Sequence, residues 1–142
     1  MIKKYLVLFL VLISFPKLIA SEASVYFINI KNGDSVNSPV FIQFGLSGKG
    51  VAPAGIAIEN TGHHHLLINV DDLDLSKPIP SSKNHLHFGG GQTETSIDLP
   101  PGKHELQLLL GDMYHVPHSI PLISEKITHG LIFPPKTNVR EI

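Results

Sequence analysis

The sequence predicts an all-β fold, an Ig-like antiparallel β-sandwich of about seven short strands preceded by a signal peptide. Three observations lead there. Beyond the N-terminus, no stretch spaces its apolar residues at helical intervals. Short runs instead alternate apolar with polar side chains and are rich in β-branched and aromatic residues, which suit a pleated, half-buried surface. Clusters of Gly, Pro, Asn and Ser separate these runs, as tight connections between strands require.

Lys3 and Lys4, followed by the apolar run Leu6 to Phe15 with Ser14 as its one interruption, read as a signal peptide. The run falls well short of the roughly 20 apolar residues that span a bilayer. Ser21-Glu22-Ala23 puts small residues at the cleavage positions, so residues 1–23 are expected to be removed; retention as an anchor is the competing reading. Residues 24–135 then form the sandwich and 136–142 a loose tail. The absence of Cys excludes a lipoprotein anchor and leaves the core, rather than disulfides, to hold an exported chain. A formal net charge of −1, with no basic run and no interleaving of basic and aromatic residues, excludes nucleic acid as a partner. The expected location is periplasmic or secreted, with no stable membrane span after cleavage.

Ser24 to Ile30 reads as the first strand, with Tyr26, Ile28 and Ile30 on one face and Asn29 opposite. Lys31-Asn32-Gly33-Asp34 turns the chain, and Ser38-Pro39 opens a second strand in which Val40, Ile42, Phe44 and Leu46 alternate with Phe41, Gln43 and Gly45. Ser47 to Gly62 is a long connection of the kind that is functional, mobile or holds a short edge strand. Residues 63–70 form the next strand. Asp71-Asp72-Leu73-Asp74 closes it as a solvated turn, since the spacing and glycine of a calcium loop are missing. After the Pro78 to Asn84 loop, His85 to Phe88 is a short strand with Leu86 and Phe88 facing away from His85 and His87. Gly89-Gly90-Gly91 ends it without the Lys-Ser/Thr of a phosphate loop. Thr93 to Leu99 and Lys103 to Leu110 are strands joined by the turn Pro100-Pro101-Gly102; His104, Leu106, Leu108 and Leu110 share a face. Gly111 to His118 is a loop. Ser124 to Phe133 is the last strand, with Ile127, Leu131 and Phe133 inward and His129 among them.

The chemistry-bearing feature is histidine. His63-His64-His65 opens an apolar strand, and His85-Leu86-His87 and His115-Val116-Pro117-His118 echo it. Alternation points His63 and His65 together and His64 away. Imidazoles at i and i+2 flank a single ion readily, and imidazole suits copper and zinc. In a simple meander each reversal returns the chain, so His63, His65, His87, His115 and His118 are expected at one end as the metal-ligating set. His104 starts at the opposite end and is excluded. The connection from Asp71 to Asn84 is where the meander can fail, because it is long enough to cross to the other sheet. Met113 is a candidate soft fourth ligand for copper, against ordinary gap-filling. Taken singly, each histidine is explained as well by an imidazole trimming a strand or turn. His64, Gln92, Glu94 and Asp112 are expected to form the polar surroundings that orient the ligands. No nucleophile elbow or other placed nucleophile is present, so no catalytic residue is assigned, and a binding module is favoured over an enzyme.

The chain also resembles the bacterial domain-of-unknown-function family 4399, found in exported proteins. The matching residues are Ser38-Pro39-Val40 to Phe44-Gly45, Val51-Ala52-Pro53-Ala54-Gly55, Gly62-His63-His64-His65-Leu66-Leu67-Ile68 and His87-Phe88-Gly89. They continue through Gly91-Gln92-Thr93-Glu94, Leu99-Pro100-Pro101-Gly102, Leu106 to Leu110 with Gly111-Asp112, His115, Pro117-His118 and Ser124-Glu125-Lys126-Ile127. The resemblance covers nearly all of the chain after residue 23. It implies that His63 to His65, His87, Gln92, Glu94, Asp112, His115 and His118 belong to a shared polar pattern, and it implies no activity. His129-Gly130 departs from that pattern. The expected function is an exported module binding a transition metal, copper or zinc. The rival is a non-metal cell-envelope module recognising a glycan or a protein through its long loops.

Overall fold

The computed structural model describes residues 22–131. Nearly all of the expected signal peptide, the 136–142 tail and Phe133 lie outside that range. Among the described residues there is no helix, and nine strands form two sheets. In chain order these are β1 (Ser24–Phe27), β2 (Ser35–Val36), β3 (Val40–Ser47), β4 (Gly50–Val51), β5 (Thr61–Ile68), β6 (His85–His87), β7 (Glu94–Ile97), β8 (Gly102–Gly111) and β9 (Ile127–Leu131). The smaller sheet runs β1-β3-β7; the larger runs β2-β9-β8-β5-β4, with β6 also paired to β5. The expected all-β sandwich is present.

Its details differ from the sequence reading in ways that have physical causes. The two extra strands, β2 and β4, are two residues each and pair in parallel with β9 and β5, too short for alternation to mark them. The first strand stops at Phe27, because the Asn29 side chain takes over the next ladder positions: its Nδ2 donates to Phe41 O and its Oδ1 accepts from Gln43 N. The chain leaves strand geometry there. Ile30 turns into the core, whereas Tyr26 and Ile28 stay exposed, so the three do not share a face. The last strand begins at Ile127 rather than Ser124, since Ser124 instead serves β8 through its hydroxyl, its N–H and its carbonyl.

The meander also fails, although not at the Asp71 to Asn84 connection. β6 does return antiparallel beside β5. It is β7 that crosses to the smaller sheet and pairs with β3, and β8 then comes back to the other flank of β5. Each crossing still reverses the chain, so the end of β8 arrives beside the start of β5, with Gly111 opposite His63.

The core lies between the sheets. Val25, Val40, Ile42, Phe44 and Ile97 from the smaller sheet meet Leu66, Ile68, Leu106, Leu108, Leu110 and Ile127 from the larger. Burying each such side chain contributes roughly 1.5–3 kcal/mol. A second, smaller cluster covers the outer face of the larger sheet, where Leu67 and Leu109 pack against Ile79 with Val70, Leu73 and Leu75 around them. The segment after β5 thus folds back over the sheet, and β5 is buried on both faces. The Asp71 to Asp74 turn at its base is self-contained: Asp74 accepts from Ser76 N and pairs with Lys77.

Candidate metal centre

Strand alternation in β5 sends His64, Leu66 and Ile68 into the sandwich and His63, His65 and Leu67 to the covered outer face. His63 and His65 are completely or almost completely buried there. β6 lies beside β5 with His87 directly opposite His65, and so delivers a third imidazole to the same face. The fourth comes from the loop after β8. There Asp112 binds its own turn: Oδ1 accepts from Tyr114 N at 2.8 Å and from Val116 N at 2.9 Å, and its carbonyl accepts from His115 N. This turn holds His115 at a φ of 67°, a left-handed conformation that His tolerates better than most residues. The His115 carbonyl in turn accepts from Ile79 N at 2.7 Å, tying the loop to the covering segment.

Four imidazoles therefore converge. His63 Nε2 and His65 Nε2 are 3.0 Å apart, and His87 Nε2 and His115 Nε2 are 3.1 Å apart. The donor atoms of His63, His87 and His115 all lie within 4.8 Å of one another, a group able to hold a metal ion. All six ring-centroid separations among the four fall between 4.6 and 6.0 Å, the widest being His65–His115. Two glycines make the space. A Cβ on Gly89 would sit 2.2 Å from the His87 ring, and one on Gly111 would sit 2.9 Å from His65 Nε2.

Burial works against charge on His63, His65 and His87. Burial, then the like charge that His87 and His115 would carry, pushes His63 down to about 4, which the Asp112 carboxylate offsets only in part. Burial, then His63, His87 and His115, pushes His65 down to about 3. His87 is lowered by burial and by His115. Neutral imidazole is the ligating form. When two Nε2 atoms meet at hydrogen-bond distance, they must share either a proton or a cation, because two bare lone pairs repel. The Nδ1 atoms of His63 and His65 are buried without a partner among the described residues. Each such orphan costs about 1–3 kcal/mol, so apolar side chains at these two positions would make a more stable strand.

The remaining residues of the expected site lie elsewhere. His64 is in the core against Phe44, with ring centroids 5.2 Å apart; burial lowers its pKa, and neither nitrogen has a hydrogen-bond partner among the described residues. His118 stands outside the cluster. It lines a cavity of about 460 Å³ with Lys49, Asp112 and Tyr114, and burial followed by the Lys49 charge lowers its pKa. Met113 lines that same cavity and not the cluster. Gln92 accepts from Gly90 N and so shapes the turn beyond His87. Glu94 is on the smaller sheet, paired with Gln43, and has no place near the imidazoles. Asp112 positions His115, as described. His104, at the far end, has both nitrogens engaged, Nε2 donating to Pro100 O and Nδ1 accepting from Asn69.

Sequence reasoning missed the covering segment. Pro78, Ile79, Pro80 and Ser81 line a cavity of about 190 Å³ together with His65, His87 and His115. The available signal was Ile79 itself, a lone apolar residue between two prolines in a polar loop. Gly89 and Gly111 carried no such signal; each reads as a turn or strand end.

A covered sheet face that gathers imidazoles from two strands and a loop defines an all-β sandwich with a histidine centre. The chain belongs to the family described as a domain of unknown function, DUF4399, whose model matches residues 42–130. The match thus starts inside β3, leaving Ser38 to Phe41 outside it, and runs through His129-Gly130. No curated protein matches the chain. Among solved structures it is similar to the X-ray structure of the endo-beta-1,4-mannanase from Thermotoga petrophila, at 16% identity and a TM-score of 0.46, over 80% of this chain. The chain spans 20% of that protein's length.

Proposed function

We propose that this protein is an exported module that binds one transition-metal ion through His63, His65, His87 and His115, with copper and zinc the ions best suited to an all-imidazole set. The observation that carries the reading is the convergence of donor nitrogens: those of His63, His87 and His115 lie within 4.8 Å of one another, and His65 Nε2 is 3.0 Å from His63 Nε2. Imidazole nitrogens bound at about 2.0–2.1 Å to one ion lie roughly 3–4 Å apart, a spacing that small shifts of these side chains reach.

The reading keeps to binding, since the sequence carries no nucleophile elbow. An exported location rests on the N-terminal sequence; among the described residues no helix is long and apolar enough to cross a membrane. The rival, a metal-independent interaction module, draws support from exposed Ile56, Ile58 and Tyr114 at the 460 Å³ cavity. Titration of the purified chain with copper and zinc ions, read by metal analysis after dialysis, decides between them. One ion per chain at neutral pH is expected. No retained ion, alongside partner binding that a chelator leaves intact, establishes the rival.

A further inference from the structure

We propose that an ion held by these imidazoles keeps a coordination position open toward the Pro78–Ser81 cavity, and that this position takes a small monodentate anion. The inference rests on the metal-binding reading above and extends it. The first argument is shape. His65, His87 and His115 line the cavity with Pro78, Ile79, Pro80 and Ser81, and His63 does not. The cluster thus has a side on which there is room.

The second argument is that the room is built into the fold. Ile79 is buried against Leu67 and Leu109, and its N–H donates to the His115 carbonyl. The prolines on either side fix the backbone that carries it. At about 190 Å³ the cavity holds roughly six waters' volume, below the range of pockets that take drug-sized molecules. Its wall has few donors, because the two prolines have no N–H and the Ile79 N–H is already used; Ser81 supplies a hydroxyl.

The third argument is charge. Imidazole brings no negative charge as a ligand, and Asp112, whose carboxylate acts on His63, is engaged with its own turn. A divalent ion in this set leaves a buried charge without a counter-charge, which is costly unless an anion joins it. A small anion entering through the cavity supplies that counter-charge at the open edge.

The test uses the chain loaded with Cu(II), with azide as the probe anion, followed by absorption and electron paramagnetic resonance. The expected result is a saturable azide-to-copper charge-transfer band, one azide per ion, with copper still bound. Ser81→Phe, a change at an exposed wall position, should keep one copper per chain and weaken azide by at least tenfold, equivalent to about 1.4 kcal/mol. A copper spectrum that ignores saturating azide overturns the open position and leaves the metal site standing. An azide response that Ser81→Phe does not weaken overturns the assignment to this cavity. Failure to take up copper at all overturns the metal reading itself, and this inference with it.

Discussion

The two ends of the larger sheet both carry buried histidines, and they use them differently. At one end His63, His65, His87 and His115 turn their Nε2 atoms toward one another. At the other, His104 and His129 face each other across β8 and β9 with ring centroids 6.2 Å apart. His104 there is held like any structural polar group, between the Asn69 amide and the Pro100 carbonyl. Burial and a cluster of imidazoles are common to both ends. What separates them is where the nitrogens point: into the surrounding protein at His104, into a shared centre at the other end. The direction of the lone pairs, more than the number of histidines, marks a binding site.

The largest effect that tests this contrast comes from removing one ring at each end. His87 is exposed on the short strand β6, so His87→Ala should leave the fold intact. Its ion affinity should fall on the order of 100-fold or more, since outer partners of a ligand are alone worth 10–100-fold. His104→Ala should leave ion affinity unchanged. It should instead lower stability by about 1–2 kcal/mol, because Asn69 and Pro100 lose their partner. Calorimetric titration and thermal unfolding of the two variants separate the roles. Equal losses of affinity would mean that the two ends are not distinct.

Acidification is the next largest lever. His63 and His65 titrate at about 4 and about 3 in the fold, against 6.5 for an ordinary imidazole. As pH drops below 6.5 the unfolded chain takes up protons that the folded one refuses, so the ion-free protein loses stability from there down to about pH 3–4 and is insensitive above 6.5. His64 and His129, also lowered by burial, add to the same trend. Only the cluster is linked to the ion, however. Thermal midpoints should therefore fall with acidification without metal, and the extra stability that zinc gives should shrink toward the acid end, where protons compete for the same nitrogens. A zinc increment that stays constant down to about pH 3 would mean that the ion sits on other groups.

A smaller effect is expected from residues that place a ligand without touching the centre. Asp112→Ala removes the acceptor for Tyr114 N and Val116 N, and with it the turn that holds His115 at positive φ. Gly89→Ala drives a methyl group into the His87 ring. Each should cost roughly tenfold in ion affinity, the low end of what outer partners contribute. Both variants should keep their far-UV circular dichroism, because neither residue lies in the main core. No comparable change at Asn69, which serves His104, should touch affinity.

The sequence made the fold class legible through simple physics. Alternation in β3 and β8 predicted which faces are buried, and the Gly- and Pro-rich breaks predicted most connections. Parity told His63 and His65 from His64, and counting reversals brought His87 and the 112–118 loop to the same end even though the assumed meander was wrong. Direction along a strand depends only on the number of reversals, so it survives a crossing between sheets. Partnership does not, and that is why Glu94, which sits on the other sheet, was placed wrongly. Nor does side-chain direction in loops, where no period governs orientation; His115 and His118 looked equivalent, yet only His115 enters the cluster. The covering segment was hidden for a related reason. A lone Ile79 anchoring a loop has no pattern to repeat, and Gly89 and Gly111 act by the side chains they lack.

The smallest expected effects fall on those misplaced residues. His118 stands beside Lys49 in the neighbouring cavity, and Glu94 pairs with Gln43 on the other sheet. His118→Ala and Glu94→Gln should each change ion affinity by less than about twofold, within the range of surface changes that touch no partner of the site. The same titration used for His87→Ala checks both. A loss at His118 near that of His87→Ala would mean that the 116–118 segment swings toward the cluster when an ion arrives, enlarging the centre to a fifth imidazole. A loss at Glu94 has no such route, because the core and the whole of β5 stand between it and the covered face.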